Sequence, residues 1–232
     1  MADAKKIVRL NYKAYLADAD ERLYDTTDAE VAKEAGIFNE KHVYAPLAYI
    51  YGSKNLFPAL SEAIEAAEVG KETSIVVPCE KAAGARNPKL IELHPLKEFY
   101  KMEINPYPGL PVTLGNRTGV VMSVAAGRVK VDFNNQLAGH DLKYVFTVTE
   151  EITDPVEKAK AVIEVNIGTS EGFEAKVEDG KVVVTESETC KFDQNWMIAK
   201  YSVVADLRAA FGVDRVDFVQ VWDSAKKEDK KE

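Results

Sequence analysis

Side chains able to do covalent or metal chemistry are thinly spread in this chain. Cys79 and Cys190 lie far apart, and His42, His94 and His140 share no spacing with them that would converge on one ion. No metal and no cofactor is expected, and the cysteines read as ordinary thiols of a reducing compartment. What remains is a set of aromatic and apolar residues with one carboxylate among them: Tyr12, Tyr24, Asp25, Leu56, Phe57, Leu60 and Tyr144. By residue type alone the apolar ones read as core, and Asp25, ahead of Thr26-Thr27, as a turn-former.

The elements that would position these residues follow from periodicity. Ile7 to Tyr15 alternates as a strand, and Glu21 to Thr27 reads as its returning partner. Asp28 to Asn39 is a loop excursion with some helix, Asp28 capping it and Gly36 ending it. The clearest helix begins at Pro58, with Leu56, Phe57, Leu60, Ala63, Ile64 and Ala67 at helical spacing and Gly70 just past the end. Thr73 to Val77 is a strand stopped by Pro78. Turn signals at Asn105-Pro106, Pro108-Gly109, Gly115-Asn116 and Ala126-Gly127 then divide residues 88–136 into short β-rich runs, a small all-β unit. Beyond Glu151 the pattern changes. Asp154-Pro155 starts a helix that stops at Gly168, a hairpin turns about Asp179-Gly180, an amphipathic helix including Trp196, Met197, Val203 and Leu207 ends at Gly212, and Val216 to Trp222 is a last strand. That is an α-β-β-α-β unit.

Of 232 residues, 46% are hydrophobic and 29% charged, enough apolar material for real cores, and the length permits one large domain or two to three small ones. Asp and Glu number 38 against 30 Lys and Arg, a net charge of −8. That sign disfavours nucleic acid and anionic membrane surfaces, both of which need clustered cations. The opening residues alternate from Ile7 and no apolar run reaches membrane length, so a cytoplasmic protein without a signal peptide is expected. The end, Lys226 to Glu232, is charged and reads as a frayed terminus.

The most specific wording is Asp132-Phe-Asn-Asn-Gln-Leu-Ala-Gly139, followed by Leu142-Lys143-Tyr144. It resembles the Asp-Phe/Gly-Asn-His-X-Leu-Ala-Gly signature of FKBP-type peptidyl-prolyl isomerases of the SlyD and long archaeal kind. Tyr12, Tyr24-Asp25, Tyr49 to Gly52, Leu56-Phe57, the Val69-Gly70-Lys71-Glu72 turn and Pro78 with Glu80 to Gly84 fall in the order in which that family presents its equivalents. The resemblance implies an α+β fold: an FKBP-type antiparallel sheet wrapped on a short helix, residues 1–87 and 137–153, with an inserted chaperone domain over 88–136 and a C-terminal α/β domain over 154–232.

It also implies the site. Tyr12 and Tyr144 would be aromatic walls, Tyr24 and Leu60 wall and floor, and the backbone at Leu56 and Phe57 would hydrogen-bond the substrate. Asp25 would face the polarised amide beside Tyr12. The insert would cradle unfolded chain on apolar residues such as Tyr100, Met102, Tyr107, Leu110 and Met122. Three positions depart from the family pattern: Ala83 stands where an aromatic residue is usual, Ala59 where Gly is, and Asn135 where His is. Ala83 removes a pocket wall, which should weaken peptide binding. The expected function is therefore prolyl isomerase plus chaperone acting on unfolded or proline-containing polypeptides, with a homodimer through the C-terminal segment. The alternatives are a catalytically weakened holdase or assembly chaperone on the same scaffold, and a structural subunit of a larger complex.

Overall fold

The computed structural model describes residues 4–18, 20–178 and 180–222, so Asp179 of the expected hairpin turn and the charged end from Lys226 lie outside the described residues. Strands β1 (Ile7–Leu16) and β2 (Leu23–Thr26) precede helix α1 (Ala29–Glu34), whose first N–H groups, of Glu30 and Val31, donate to the Asp28 carboxylate. Next come β3 (Leu47–Ile50), α2 (Pro58–Ala66) and β4 (Glu72–Val77), the last ended by Pro78. Then follow β5 (Ile91–Pro95), α3 (Leu96–Lys101), β6 (Pro111–Leu114), β7 (Arg117–Ala125), β8 (Arg128–Asp132) and β9 (Leu142–Glu151). The chain continues through α4 (Pro155–Ile167), β10 (Glu174–Glu178), β11 (Lys181–Thr185), α5 (Gln194–Phe211) and β12 (Arg215–Val219). The architecture is α+β. One sheet runs β2-β1-β9-β4 with β3 also on β1, a second runs β5-β8-β7-β6, and a third runs β10-β11-β12.

The chain forms two compact units. The first takes the described residues of 1–13, 25–75 and 145–232. In it β3 pairs antiparallel with β1, Ile7 opposite Ile50 and Leu10 opposite Leu47. Ile7, Ala48 and Ile50 belong to the same apolar core as Val162 and Ile163 of α4, Val182 and Val184 of β11, and Trp196 and Leu207 of α5. Helix α4 makes this continuity by being buried on more than one side, with Ala159, Ala161, Val162 and Ile163 all at 0% exposure. Arg9 of β1 closes the arrangement with a bidentate pair to Glu164, at 3.1 and 3.0 Å. Helices α4 and α5 end at Gly168 and Gly212, both left-handed, as αL caps require. Strand β11 lies between β10 and β12, antiparallel to the first and parallel to the second, so Lys181–Thr185 is central and β12 is an edge. Met197, grouped with the apolar face of the long helix on sequence, is 69% exposed; Trp196, Val203, Leu207 and Ala210 set the buried face, and Met197 is turned about 100° from Trp196.

The second unit comprises 14–24 and 76–144. Its four-stranded sheet is antiparallel throughout, with a bulge between Val121 and Ser123. The stretch expected to be all-β contains the six-residue helix α3. The helical turn drives Phe99 to 0% exposure against Val112, Val121, Val129 and Val131, a burial that an extended chain there would not give. Gly119 is required by space: a Cβ there would lie 2.7 Å from the Asp132 carbonyl and 2.8 Å from the Phe133 ring.

Phe99 is the largest of only five buried residues in the core of this small sheet. Truncation of a buried Phe costs about 3–5 kcal/mol, which so small a core cannot absorb. Phe99→Ala should abolish amide-exchange protection over residues 91–132 at a temperature where α4 and α5 stay protected.

Candidate functional site

Tyr12 and Asp25 come together through bonds made first by the backbone. The Tyr12 N–H donates to Thr27 Oγ1 at 3.0 Å, and the Tyr12 carbonyl accepts from Thr26 Oγ1 at 2.9 Å and from the Thr27 N–H at 3.2 Å. Thr26 and Thr27 are buried, at 1% and 9% exposure, so these bonds are sheltered from water. With the strand pinned, the Tyr12 hydroxyl donates to Asp25 Oδ2 at 2.7 Å, while Asp25 Oδ1 accepts from the Thr26 N–H at 2.9 Å. Both oxygens of the half-buried carboxylate are thereby oriented.

The entrance of α2 belongs to the same unit. Phe57 is the N-cap residue and offers no side-chain cap, and Pro58 starts the helix. Leu56 and Phe57 are half-buried, whereas Leu60 and Ile64 are buried in the helix's inner face. The loop before the helix is tied back by Glu65, whose Oε1 accepts from the Gly52 N–H at 2.8 Å and from the Tyr49 hydroxyl at 3.1 Å. Burial pushes the Tyr49 phenol up from its ordinary pKa. A cleft of about 360 Å³ with mixed polar and apolar lining lies on this unit, bounded by residues including Asn11, Tyr12, Thr27, Tyr44, Glu72 and Phe146. Of the expected substrate-contacting residues it shares only Tyr12.

Tyr24, Ala83 and Tyr144 lie in the second unit. The Tyr24 hydroxyl donates to the Tyr144 hydroxyl at 2.6 Å, and the rings meet edge to face with centroids 6.4 Å apart. Ala83 follows a short 3-10 turn, Cys79–Lys81, in a loop held by bonds from the Cys79 N–H to Asp141 Oδ1 at 2.8 Å and from the Gly84 N–H to the Cys79 carbonyl at 2.7 Å. Ala83 contributes only a methyl group, half-buried. Asn135, in place of the usual His, forms a turn by accepting from the Leu137 N–H at 2.9 Å. Of the insert residues expected to meet unfolded chain, Tyr100, Met102, Tyr107 and Met122 are 58, 44, 58 and 41% exposed, and Leu110 packs against the insert's own core.

Two polar groups have structural roles that the sequence reading did not assign. Glu65 is one. Asp132 is another, at 4% exposure: it pairs with Arg86 and accepts from the Asn134 N–H and side-chain amide at 2.8 and 2.7 Å. Burial opposes ionisation of Asp132, but these donors outweigh it and hold the carboxyl below its usual range. The Asp132–Gly139 wording marked Asp132 for the family, and nothing local marked it as a buried ion-pair partner. Among the described residues no group of three or more His, Cys, Asp or Glu is placed to hold a metal ion, and no helix is long and apolar enough to cross a membrane.

Two stretches of the chain match known families, and much of the rest has named relatives. Residues 92–137 match the family model described as FKBP26, IF domain, and residues 155–223 match FKBP26_C-terminal. The chain is 32% identical over 136 residues to a short-type peptidyl-prolyl cis-trans isomerase of Methanocaldococcus jannaschii, covering 59% of this chain and 87% of that protein. It is 29% identical over 105 residues to a probable FKBP-type 16 kDa peptidyl-prolyl cis-trans isomerase of Pseudomonas fluorescens, covering 43% of this chain and 69% of that protein. It is also 30% identical over 131 residues to the FKBP-type isomerase SlyD of Pasteurella multocida, covering 53% of this chain and 65% of that protein. The chain belongs to the FKBP-type peptidyl-prolyl cis-trans isomerases, in the form that carries an insert-in-flap domain and a further C-terminal domain.

The bond from Tyr12 to Asp25 joins a phenol to a carboxylate that is partly open to water, so its net worth is about 1 kcal/mol. Tyr12→Phe should lower the free energy of unfolding by about that amount, read as a shift of the denaturant midpoint at unchanged slope.

Proposed function

We propose that the protein catalyses cis–trans isomerisation of prolyl bonds in unfolded polypeptides and also holds such chains as a cytoplasmic chaperone. The observation that carries the reading is the Tyr12–Asp25 pair, oriented on both carboxylate oxygens in a chain of this family. Rotation about a prolyl C–N bond crosses a barrier of about 18–20 kcal/mol set by amide resonance. No nucleophile or metal is needed. The catalyst must bind the twisted amide better than either planar form, at about 1.4 kcal/mol for each tenfold in rate. A dry aromatic surface favours the twisted amide because it is less dipolar. In this scheme Tyr12, Tyr24 and Tyr144 supply aromatic walls and Leu60 the floor. The backbone at Leu56 and Phe57 donates to the substrate, and Asp25 faces the polarised amide.

Ala83 supports a second reading, a holdase with weakened catalysis, because a methyl group replaces a ring at that position. The cis-to-trans rate of a short proline peptide separates the two. Catalysis by the native chain that falls at least tenfold in Asp25→Ala supports the isomerase. No catalysis, restored by Ala83→Tyr, supports the holdase.

The insert and the C-terminal segment would supply the binding surfaces. On the insert these are Tyr100, Met102, Tyr107 and Met122, joined by Leu93 at 60% exposure. At the C-terminal segment, Phe192, Met197, Ile198, Tyr201 and Trp222 are 84, 69, 77, 86 and 63% exposed, and Phe192 meets Trp222 edge to face. Aromatic side chains bury roughly 150–250 Å² each, so a group of this kind offers on the order of 700 Å², close to the roughly 800 Å² per partner of a standard interface. Such a surface supports a homodimer through this segment. Tyr201→Asp should then lower the sedimentation coefficient to that of a monomer, with secondary structure unchanged.

A further inference from the structure

Two passages of chain join the insert to the rest of its unit, the incoming one from the loop of residues 78–87, the flap, and one buried carboxylate ties them together. On the way in run Arg86 and Asn87, and on the way out Asp132 and Asn134. Arg86 pairs with Asp132 Oδ2, and Asp132 Oδ1 takes both donors of Asn134. Asn134 in turn clasps Asn87 reciprocally: its Oδ1 accepts from the Asn87 N–H at 2.8 Å and its Nδ2 donates to the Asn87 carbonyl at 3.0 Å. The Phe133 N–H donates to the Leu90 carbonyl at 2.9 Å. Gly139 leaves the outgoing passage room to lie against Arg86, whose Cβ is 3.3 Å from where a side chain at Gly139 would begin. The neck is thus crosslinked by polar bonds around a group at 4% exposure, where partly satisfied networks are costly and fully satisfied ones rigid. The loop that carries Ala83 is anchored within itself and to Asp141, by the Gly84 and Cys79 N–H groups, and it meets the outgoing passage where the Gly139 N–H donates to the Gly84 carbonyl at 2.8 Å.

We infer that Asp132 is a positioning residue: through Arg86 and Asn134 it sets the insert at a fixed angle to the flap, so that chain held by the insert is presented for isomerisation. This rests on the reading of the insert as the client-binding element. On that reading a short free peptide reaches the site without the insert, whereas a captured protein arrives through it. Loosening the neck therefore separates the two activities without removing either surface.

The test uses the full chain with Asp132→Asn and, as a change at a more exposed position, Arg86→Ala. Two rates are measured: isomerisation of a proline tetrapeptide, and catalysed refolding of a small disulfide-free protein limited by one prolyl bond. The expected result is peptide kcat/KM within about twofold of the parent and protein kcat/KM at least fivefold lower. The peak amide protection of Val121 and Val129 should remain while that of Phe133 and Asn134 falls. Unchanged protein refolding, or peptide and protein rates falling in parallel, would overturn the positioning role. Loss of protection across the insert core in both variants would also overturn it, making Asp132 a folding residue. A separate variant, Tyr100→Ser with Met102→Ser and Tyr107→Ser, tests the underlying reading. If it leaves protein refolding unchanged, the client-binding reading fails, and that failure is distinguishable from failure of the neck.

Discussion

The burial of α4 is the constraint on which the first unit depends. A helix with apolar residues on one stripe can pack against one neighbour; α4 has Ala159, Ala161, Val162 and Ile163 all out of water, and so must be covered from more than one direction. The small alanines let neighbouring backbones approach, and the C-terminal sheet, α5 and the paired strands β1 and β3 supply the cover. The C-terminal segment therefore shares a core with strands at the opposite end of the sequence. The Arg9–Glu164 pair, half-buried and bidentate, adds direction to a contact that apolar packing alone would leave free to slide.

The insert works under the opposite constraint, a shortage of interior. Five buried residues fill its core, six more, among them Leu96, Ile104, Leu110 and Phe133, pack partly against it, and little interior is left for the other large apolar side chains. Tyr100, Met102, Tyr107 and Met122 remain about half in solvent, outside the buried core of this small sheet. An apolar surface that folding does not need is free to serve binding, and methionine and tyrosine suit partners of varied shape.

The chemistry ascribed to the chain is of the kind that leaves little trace in residue type. Turning a prolyl bond requires shape and polarity, with no reactive side chain to advertise it. What distinguishes Tyr12 and Asp25 from core and turn residues is orientation: two buried threonines fix the Tyr12 backbone, and only then do phenol and carboxylate meet at 2.7 Å. Glu65 works similarly on the loop ahead of α2, reaching back from the last turn of the helix to Tyr49 and Gly52.

Local features were legible in the sequence because they are decided within a few residues. Asp28 and Asp154 cap helices, Pro58 and Pro155 start them, Gly168 and Gly212 end them, and alternation marks β1 and β11, all through backbone sterics and near-neighbour hydrogen bonds. The ordered aromatic positions and the Asp132–Gly139 wording carried the family. Other features depended on residues far along the chain. Four-residue β3 is too short to show a period and is a strand because β1 pairs with it. Phe99 forms part of a helix because a sheet beneath it accepts the ring. Met197 faces water because the core lies on the Trp196 side of α5. Asp132 is buried because Arg86, 46 residues earlier, neutralises it, and Arg9 finds Glu164 across 155 residues. Sequence by itself determined the capped helices, the alternating strands and the family they compose. Only the tertiary structure decided which faces are covered and which charges are paired, because burial and pairing are properties of what packs against a residue rather than of the residue.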